Sequence, residues 1–383
     1  MNHPPRRVVI VGGGLSGHTA ATTLRESGFD GDLTLVTREA RPPYDRPPLS
    51  KEFLVGAVTD TRLDRDLAEL EVRVELGATA TELRPTEVCT SVGRLPFDAA
   101  IVAPGLSPRS LPGQAASPRA HVLRTHEDAL RLRESLTPGR RVVVVGAGLI
   151  GAEVGTAAAR LGCQVSVVSP VLMSGLTALP DSLLDDIAGW YAECGIALTI
   201  GVPVAGITPH GIRLAGGEEL PADVVVVAIG GAPDTAWLAG SGMVRDDRGR
   251  LVVDESLGTS LPSVYGAGDV ITWPSARYGE RVSLEHWQHA AESGRAAAES
   301  VLGADTRYDP LPYFWSHQLS HTLHYIGRHR PDDAVEFHPE SSRGSSVTWS
   351  RAGRTTAVLA VDAPQVVRRA RRGLLEPARE PAG

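Results

Sequence analysis

Two segments of the chain carry the spacing of a phosphate-binding loop. One reads GGGLSG from Gly12 to Gly17, and the other reads GAGLIG from Gly146 to Gly151. In such a loop the first glycine permits a tight turn, the second lets the backbone approach a pyrophosphate, and the third lets the following helix pack on the strand. The free N–H groups at the start of that helix then face the anion. Each motif therefore predicts a site for a dinucleotide.

Both loops sit in the context that this chemistry requires. Each follows a short β-branched run, which is typical of a buried parallel strand, and each precedes a helical stretch rich in alanine and leucine. One isolated G-x-G-x-x-G would be weak, but two copies in a strand–loop–helix setting are specific. Two dinucleotide sites in one chain predict two cofactors that exchange electrons, and a flavin with a nicotinamide is the usual pair.

Lysine occurs once in the chain. Lys51 is the single lysine among 38 basic residues, and it lies in the stretch YDRPPLSKEFL, residues 44–54. A composition that uses arginine at every other basic position does not account for a lysine here. We interpret Lys51 as a functional group, with a chance surface lysine as the alternative.

Length and composition restrict the function classes. A chain of 383 residues with 42% hydrophobic and 22% charged residues predicts two or three globular domains. The three scattered cysteines form no CxxC pair, which predicts no metal site, no redox disulfide and a reducing, cytoplasmic location. No signal peptide or membrane span is predicted, and the net charge of −7 argues against a nucleic-acid partner.

The motifs together resemble those of the FAD-dependent ferredoxin reductases, which pass electrons from NAD(P)H to small iron–sulfur proteins that serve oxygenases such as cytochromes P450. The resemblance runs essentially from end to end, and RPPLSK with FWSHQ is its most distinctive pair of motifs. It implies an α/β fold with two Rossmann-like domains of the glutathione-reductase type and a C-terminal α+β domain. The alternating stretches GSSVTWS and RTTAVLAV support the last of these. The expected boundaries are residues 1–110 and 236–308 for FAD binding, 111–235 for NAD(P)H binding and 309–383 for the C-terminal domain.

The resemblance also assigns site residues. It implies that Lys51 lies near the N5 edge of the flavin and is matched there by Glu153, as the two catalytic residues. A compact ammonium can stabilise negative charge in a small buried site that the bulkier guanidinium would not fit. The cofactor-binding positions that it implies are Gly12, Gly14, Ser16, Gly17, Glu39, Arg46, Lys51, Ala80, Arg124, Asp269 and Trp287 for FAD, and Gly146, Gly148 and Gly151 for the nicotinamide dinucleotide.

Three positions depart from the pattern of this family, and one of them, Pro104 in the stretch APG, is interpreted as a turn change only. The acid that would hold the adenosine ribose of FAD falls on Arg38, with Glu39 next to it as a substitute. The acid that would hold the 2′-hydroxyl of NADH is replaced by Ser169. No arginine follows before Arg213, so a site for a 2′-phosphate is not evident either. The preference between NADH and NADPH therefore stays open.

Histidines are concentrated in two places. His286 and His289 flank Trp287, where packed imidazoles or proton transfer to a small molecule are alternatives. The segment SHQLSHTLHYIGRH has four histidines, and helical spacing would suggest a metal site, whereas the resemblance makes it extended. We expect no metal site here.

The leading interpretation is an enzyme, an NAD(P)H-dependent ferredoxin reductase with FAD. The alternative is a flavoenzyme of the same fold that acts directly on a small molecule, and a flavin-bearing sensor is a third interpretation. The expected partner is an acidic ferredoxin that docks transiently, and the arginine-rich stretch VVRRARRGLL is a candidate surface for it. We expect no nucleic acid or membrane partner and a monomer or a homodimer.

Overall fold

The computed structural model describes residues 5–176, 178–339 and 344–375. In this part of the chain, helices α1 to α6 are Leu15–Glu26, His126–Ser135, Leu149–Arg160, Asp181–Glu193, Trp287–Val301 and Pro364–Leu375. Strands β1 to β13 are Arg7–Val11, Asp32–Thr37, Arg73–Leu76, Ala80–Arg84, Glu87–Thr90, Gly93–Pro96, Ala99–Val102, Leu106–Pro108, Ala120–His121, Arg141–Ala147, Gln164–Leu172, Ala197–Ile200 and Val204–Thr208. Strands β14 to β26 are Gly211–Leu214, Glu219–Pro221, Val224–Val227, Gly231–Pro233, Leu251–Val252, Val264–Gly266, Ile271–Ser275, Glu280–Val282, Tyr313–Gln318, His321–Gly327, Ala334–Pro339, Ser345–Arg351 and Arg354–Val361.

The chain forms two compact units. Unit one comprises Met1–Asp45, Thr61–Ser107 and Gly231–Pro310, and unit two comprises Arg46–Asp60, Pro108–Gly230 and Leu311–Gly383. The division into three domains that the sequence suggests remains a prediction.

Unit one is built on a parallel sheet with the order β19-β7-β1-β2-β3. Its central strand β1 is buried over Val8–Val11, because a strand covered on both faces needs apolar side chains on both. Helix α1 connects β1 to β2 and packs against α5. The small antiparallel sheet β4-β5-β6 completes the same hydrophobic core through Leu83 and Val88.

Unit two repeats this design with the parallel sheet β12-β11-β10-β16-β9. Helix α3 follows β10 as α1 follows β1, so the sequence repeat corresponds to a structural repeat. The short segment Arg46–Asp60 is anchored in this unit by Leu54, which is fully buried with Leu132 and Val144 in one core. Phe53 lies with its ring 4.7 Å from that of His126 in α2. These apolar contacts fix the backbone that directly follows Lys51.

The C-terminal part of unit two is an antiparallel sheet with the order β22-β23-β26-β25-β24. Helix α6 packs on β26 and β23 through an apolar face that includes Val367 and Ala370, while its arginines are exposed. The two parallel sheets and this antiparallel sheet with its helix confirm the predicted fold class. The histidine-rich segment is extended, in β22 and β23.

No helix in the described ranges is both long enough and apolar enough to cross a bilayer. The four histidines of the extended segment have separate contacts. His321 bonds Asp362, His324 bonds Tyr313, His317 bonds Thr322 and His329 bonds Tyr325. Within residues 5–176, 178–339 and 344–375 no group of three potential metal ligands comes together.

Candidate functional site

The two phosphate loops have the same backbone geometry. Gly12 has φ +123° and Gly146 has φ +111°, which are values that a side chain at either position would strain. An added Cβ would also lie 2.0 Å from the carbonyl oxygen of Ala103 at the first loop and 2.3 Å from that of Ala228 at the second. Only glycine fits these turns, so each strand passes into its helix at the sharp angle that a dinucleotide loop needs.

The helices after these loops start without side-chain caps. Neither α1, which begins after Gly14, nor α3, which begins after Gly148, has a side chain that accepts from its first-turn N–H groups. Helix α2 differs, because Thr125 and Asp128 close a capping box on it. The two loop helices therefore keep N–H donors and a partial positive charge at the end that would meet an anion.

The first loop has an open backbone and a buried hydroxyl that suit a pyrophosphate. Ser16 is 5% exposed in the first turn of α1, and its hydroxyl has no hydrogen-bond partner within the described residues. A phosphate oxygen would supply that partner. An added Cβ at Gly14 would meet nothing within 4 Å, so the backbone is open to a close approach. These features fit the predicted pyrophosphate site.

Asp269 is held next to this loop by its own turn. An added Cβ at Gly268 would lie 3.1 Å from Cβ of Ser16, so the turn that carries Asp269 adjoins the first phosphate loop. Ser293 accepts from the N–H of Gly268 at 2.9 Å, and Nε2 of His289 lies 3.1 Å from the carbonyl oxygen of Gly268. Both backbone groups of Gly268 are thus fixed by side chains of α5.

His289 is part of a buried aromatic cluster. Its Nδ1 lies 2.7 Å from the hydroxyl of Tyr308, and its ring stacks on Trp273 at a centroid distance of 4.9 Å. Burial lowers the pKa of His289 to about 4, so the imidazole is neutral at pH 7. With both ring nitrogens engaged and the side chain 2% exposed, His289 packs in the core and does not transfer protons to a substrate.

The remaining predicted FAD residues of unit one are Trp287, Glu39 and Ala80, and they lie in three different elements or loops. Trp287 begins α5 and donates its Nε1–H to Asp45 at 2.8 Å. Tyr44 donates to Glu39 at 2.5 Å, which orients that carboxylate. Ala80 begins β4.

Arg38, which stands where the family has an acid, has a partner in the same unit. Its guanidinium lies 2.7 Å from Oδ2 of Asp234. This pairing compensates the positive charge that follows β2. The neighbouring Glu39 accepts from Tyr44, so the two adjacent residues have different partners.

Lys51 and Glu153 come together in unit two, although 102 positions separate them in the sequence. Lys51 Nζ lies 2.7 Å from Oε2 of Glu153, and their side chains are 16% and 4% exposed. Glu153 projects from α3, the helix of the second phosphate loop. Lys51 follows the short 3₁₀ helix Pro47–Ser50, whose prolines restrict the backbone. The predicted pair is thus a buried ion pair.

Two other predicted residues meet in unit two. Nη1 of Arg46 donates to the carbonyl oxygen of Arg124 at 2.6 Å. Arg46 precedes the same 3₁₀ helix as Lys51, and Arg124 directly precedes the capping box of α2. The backbone of Arg124 is also bonded to Asp128 at 3.2 Å.

Two serines that sequence reasoning did not select also bind Glu153. Ser50 donates to Oε2 at 2.5 Å, and Ser316 donates to Oε1 at 2.6 Å. Ser50 lies in the motif RPPLSK and Ser316 lies in FWSHQ. Their positions inside the two most distinctive motifs are the signal that could have found them.

Ser169 lies within β11, three residues before its end, opposite Ile200 of β12. Its hydroxyl donates to the carbonyl oxygen of Val171 at 2.7 Å, and the residue is 3% exposed. The hydroxyl proton is thus used by the backbone of the same strand. No acidic side chain takes the place that the family gives to the ribose-binding acid.

Comparison with known proteins places these features in a family. The family model described as pyridine nucleotide-disulphide oxidoreductase matches residues 6–294, and the model described as reductase C-terminal matches residues 313–382. The chain is 32% identical to the ferredoxin–NAD(+) reductase subunit of the benzene 1,2-dioxygenase system of Pseudomonas putida, over 94% of this chain and 90% of that protein.

Solved structures give the same result. The crystal structure of Fdr9 superposes with a TM-score of 0.91 and 40% identity, over 98% of this chain and 96% of that one. Putidaredoxin reductase, in its covalent complex with putidaredoxin, superposes with a TM-score of 0.89 and 29% identity, over 96% and 93% of the two chains. These matches confirm the resemblance and the fold class that the sequence predicts.

Proposed function

The chain belongs to the pyridine nucleotide-disulphide oxidoreductase family, and we propose that it passes electrons from NAD(P)H through FAD to a small iron–sulfur ferredoxin that serves an oxygenase. Membership of this family confirms the prediction of a flavoprotein oxidoreductase with FAD and NAD(P)H as cofactors. When bound, FAD accepts two electrons from the nicotinamide and releases them one at a time to the acceptor. The names of the relatives support the ferredoxin as acceptor, because the relative from Pseudomonas putida is a ferredoxin–NAD(+) reductase.

The residues of the first loop would hold FAD. The uncapped start of α1 and the unpaired hydroxyl of Ser16 offer donors to the pyrophosphate. Asp269, fixed by the Gly268 turn, is a carboxylate acceptor for hydroxyl groups, and Glu39 takes the place of the missing acid at the ribose. Gly146, Gly148 and Gly151 would bind the nicotinamide dinucleotide at the uncapped start of α3.

The buried pair of Lys51 and Glu153 is the observation that carries the proposal. An ammonium in a site of low exposure acts through a low dielectric, so its charge is worth more there than in water. Lys51 would supply positive charge for the reduction of the cofactor, and Glu153 holds the ammonium in place. The family name includes disulphide reduction, but Cys89, Cys163 and Cys194 are all free thiols, which supports a different acceptor.

The contacts of His289 disfavour proton transfer from this histidine to a small molecule. His289 is enclosed by Trp273, Tyr308 and the Gly268 turn and has no free ring nitrogen. We also infer a cytoplasmic location from the free thiols, and either a monomer or a homodimer.

A steady-state assay tests the function. Purified protein with bound FAD should oxidise NADH or NADPH slowly alone and rapidly when a [2Fe–2S] ferredoxin with cytochrome c as final acceptor is added. A colourless protein that binds no added FAD would overturn the proposal. So would NAD(P)H oxidation that the ferredoxin does not accelerate.

A further inference from the structure

Three donors converge on the carboxylate of Glu153. Oε2 accepts from Lys51 at 2.7 Å and from Ser50 at 2.5 Å, and Oε1 accepts from Ser316 at 2.6 Å. Glu153, Ser50 and Ser316 are 5%, 3% and 1% exposed. A buried carboxylate with donors on both oxygens cannot turn about its last torsion, which is otherwise broad for glutamate.

We propose that Ser316 and Ser50 are positioning residues that set the place of the Lys51 ammonium through Glu153. This inference rests on the proposed function, because it assigns a task to Lys51 in cofactor reduction. Lysine has a flexible four-carbon stem, so its charge is useful only where acceptors fix it. The ammonium has Glu153 at 2.7 Å, the carbonyl oxygen of Pro47 at 3.1 Å and the hydroxyl of Ser50 at 3.4 Å.

The fold explains why Ser316 reaches Glu153. Ser316 lies in β22 opposite Leu323, and successive side chains of a strand point to opposite faces. Ser316 is therefore buried, while the neighbouring His317 is exposed. A buried hydroxyl without a partner would be costly, and Glu153 is the partner that offsets this cost.

Ser50 donates to Oε2 of Glu153, whereas Ser316 donates to Oε1. Ser50 ends the 3₁₀ helix directly before Lys51, so its hydroxyl and the lysine share one rigid turn. Three separate segments of unit two, namely the 3₁₀ turn, α3 and β22, thus meet at one carboxylate. If either serine is removed, one oxygen of Glu153 loses a donor and the pair with Lys51 loses its orientation.

The test compares Ser316→Ala, Ser316→Thr and the control Ser346→Ala, which alters a serine of similar burial in β25. Stopped-flow reduction by saturating NADH should slow about tenfold in Ser316→Ala, with the NADH dissociation constant changed less than about twofold. Ser316→Thr keeps the hydroxyl and should recover to within about threefold of the wild type. Ser346→Ala should match the wild type.

The midpoint potential of the bound flavin gives a readout that does not depend on turnover. If the Ser316→Ala change weakens the stabilisation of the reduced flavin by Lys51 about tenfold, the two-electron midpoint potential of the flavin falls by about 30 mV. In a Lys51→Met background the same Ser316→Ala change should alter neither the rate nor the potential, because the residue through which it acts is gone.

Each outcome decides one point. A wild type that NAD(P)H does not reduce overturns the proposed function. A reducible wild type with an unchanged Ser316→Ala rate and potential overturns only the positioning role. An equal loss in the Lys51→Met background also overturns it, since Ser316 would then be merely structural. If Ser316→Ala does not fold or loses FAD, Ser50→Ala is measured by the same cycle with the same expected results and the same criteria.

Discussion

Lys51 Nζ lies 2.7 Å from Oε2 of Glu153, and neither side chain is more than one-sixth exposed. Breaking a buried pair costs more than breaking a surface pair, because the charge that remains has no compensation. The two side chains belong to segments that are far apart in the sequence, and the neighbouring apolar residues Leu54 and Val154 pack in the same core. The pair is therefore built into the fold of unit two, and it can be tested one residue at a time.

Replacing Lys51 by Met should slow flavin reduction by about a hundredfold while FAD stays bound. The loss of one stabilising charge in a buried site is on the order of 2–4 kcal/mol of barrier. Methionine keeps the unbranched stem and its packing, so the change removes the ammonium and leaves Glu153 with the two serine donors. Stopped-flow absorbance with NADH measures the rate.

Arg160→Met, at the exposed end of the same helix as Glu153, is the control and should react as the wild type does. Lys51→Arg should be slow as well, since the planar guanidinium does not replace a compact ammonium. Equal reduction rates for Lys51→Met and the wild type would exclude a role for the ammonium.

We expect the enzyme to discriminate only weakly between NADH and NADPH, because position 169 is a serine. The hydroxyl proton of Ser169 is used by Val171, and a serine at this position carries no negative charge that would repel a 2′-phosphate. The ratio of kcat/KM for the two cofactors should stay below about a hundredfold, which corresponds to about 2.7 kcal/mol. Ser169→Asp should shift the ratio toward NADH by about tenfold or more.

Ser169→Ala serves as the control for that shift. It removes the hydroxyl without adding charge, so the cofactor ratio should remain that of the wild type. A wild-type preference well above a hundredfold for either cofactor would point to another determinant of specificity.

Much of this site can be read from the sequence because its signals are local. The glycines of both loops depend on neighbours within a few positions, whereas the extended histidine segment is implied by the resemblance and not by its own spacing. The cluster at Glu153 does not, since Ser50 and Ser316 lie 103 and 163 positions away from it. Only the approach of the 3₁₀ turn and β22 to α3 brings them together. The pairing of Arg38 with Asp234 likewise depends on contacts distant in sequence.

His289 should make the protein less stable in mild acid. Burial lowers its pKa in the folded state to about 4, below the ordinary value of 6.5. Between these values the unfolded chain binds a proton that the folded chain excludes, so the free energy of unfolding falls as the pH drops from 6.5 to 4. The largest contribution of this group is on the order of 3 kcal/mol, at about 1.4 kcal/mol per pH unit.

Urea unfolding between pH 7.5 and 5 measures this effect. His289→Gln should be less stable than the wild type at pH 7.5, because the stack on Trp273 is lost, and its stability should fall less steeply with decreasing pH. His210→Gln changes an exposed histidine and should keep the wild-type slope. Parallel slopes for His289→Gln and the wild type would show that His289 does not carry the acid sensitivity.

The arginine face of α6 should dock the acidic ferredoxin. Helix α6 presents no acidic side chain, and its apolar side packs on the C-terminal sheet, so its positive charge faces outward. The exposed residues are Arg368, Arg369, Arg371 and Arg372. Transient redox partners bury little surface and rely on charge to raise their association rate. Because the whole chain has a net charge of −7, a local positive patch is needed.

Reversing all four charges to Glu should lower the rate of ferredoxin reduction about tenfold or more at 10 mM salt. The loss should shrink as salt shortens the Debye length, and flavin reduction by NAD(P)H should not change. The control reverses four exposed arginines elsewhere, so the net charge changes by the same amount: Arg94, Arg140, Arg248 and Arg307. If the two quadruple variants lose ferredoxin reduction equally, the effect comes from net charge, and α6 is a solvated helix face with no docking role.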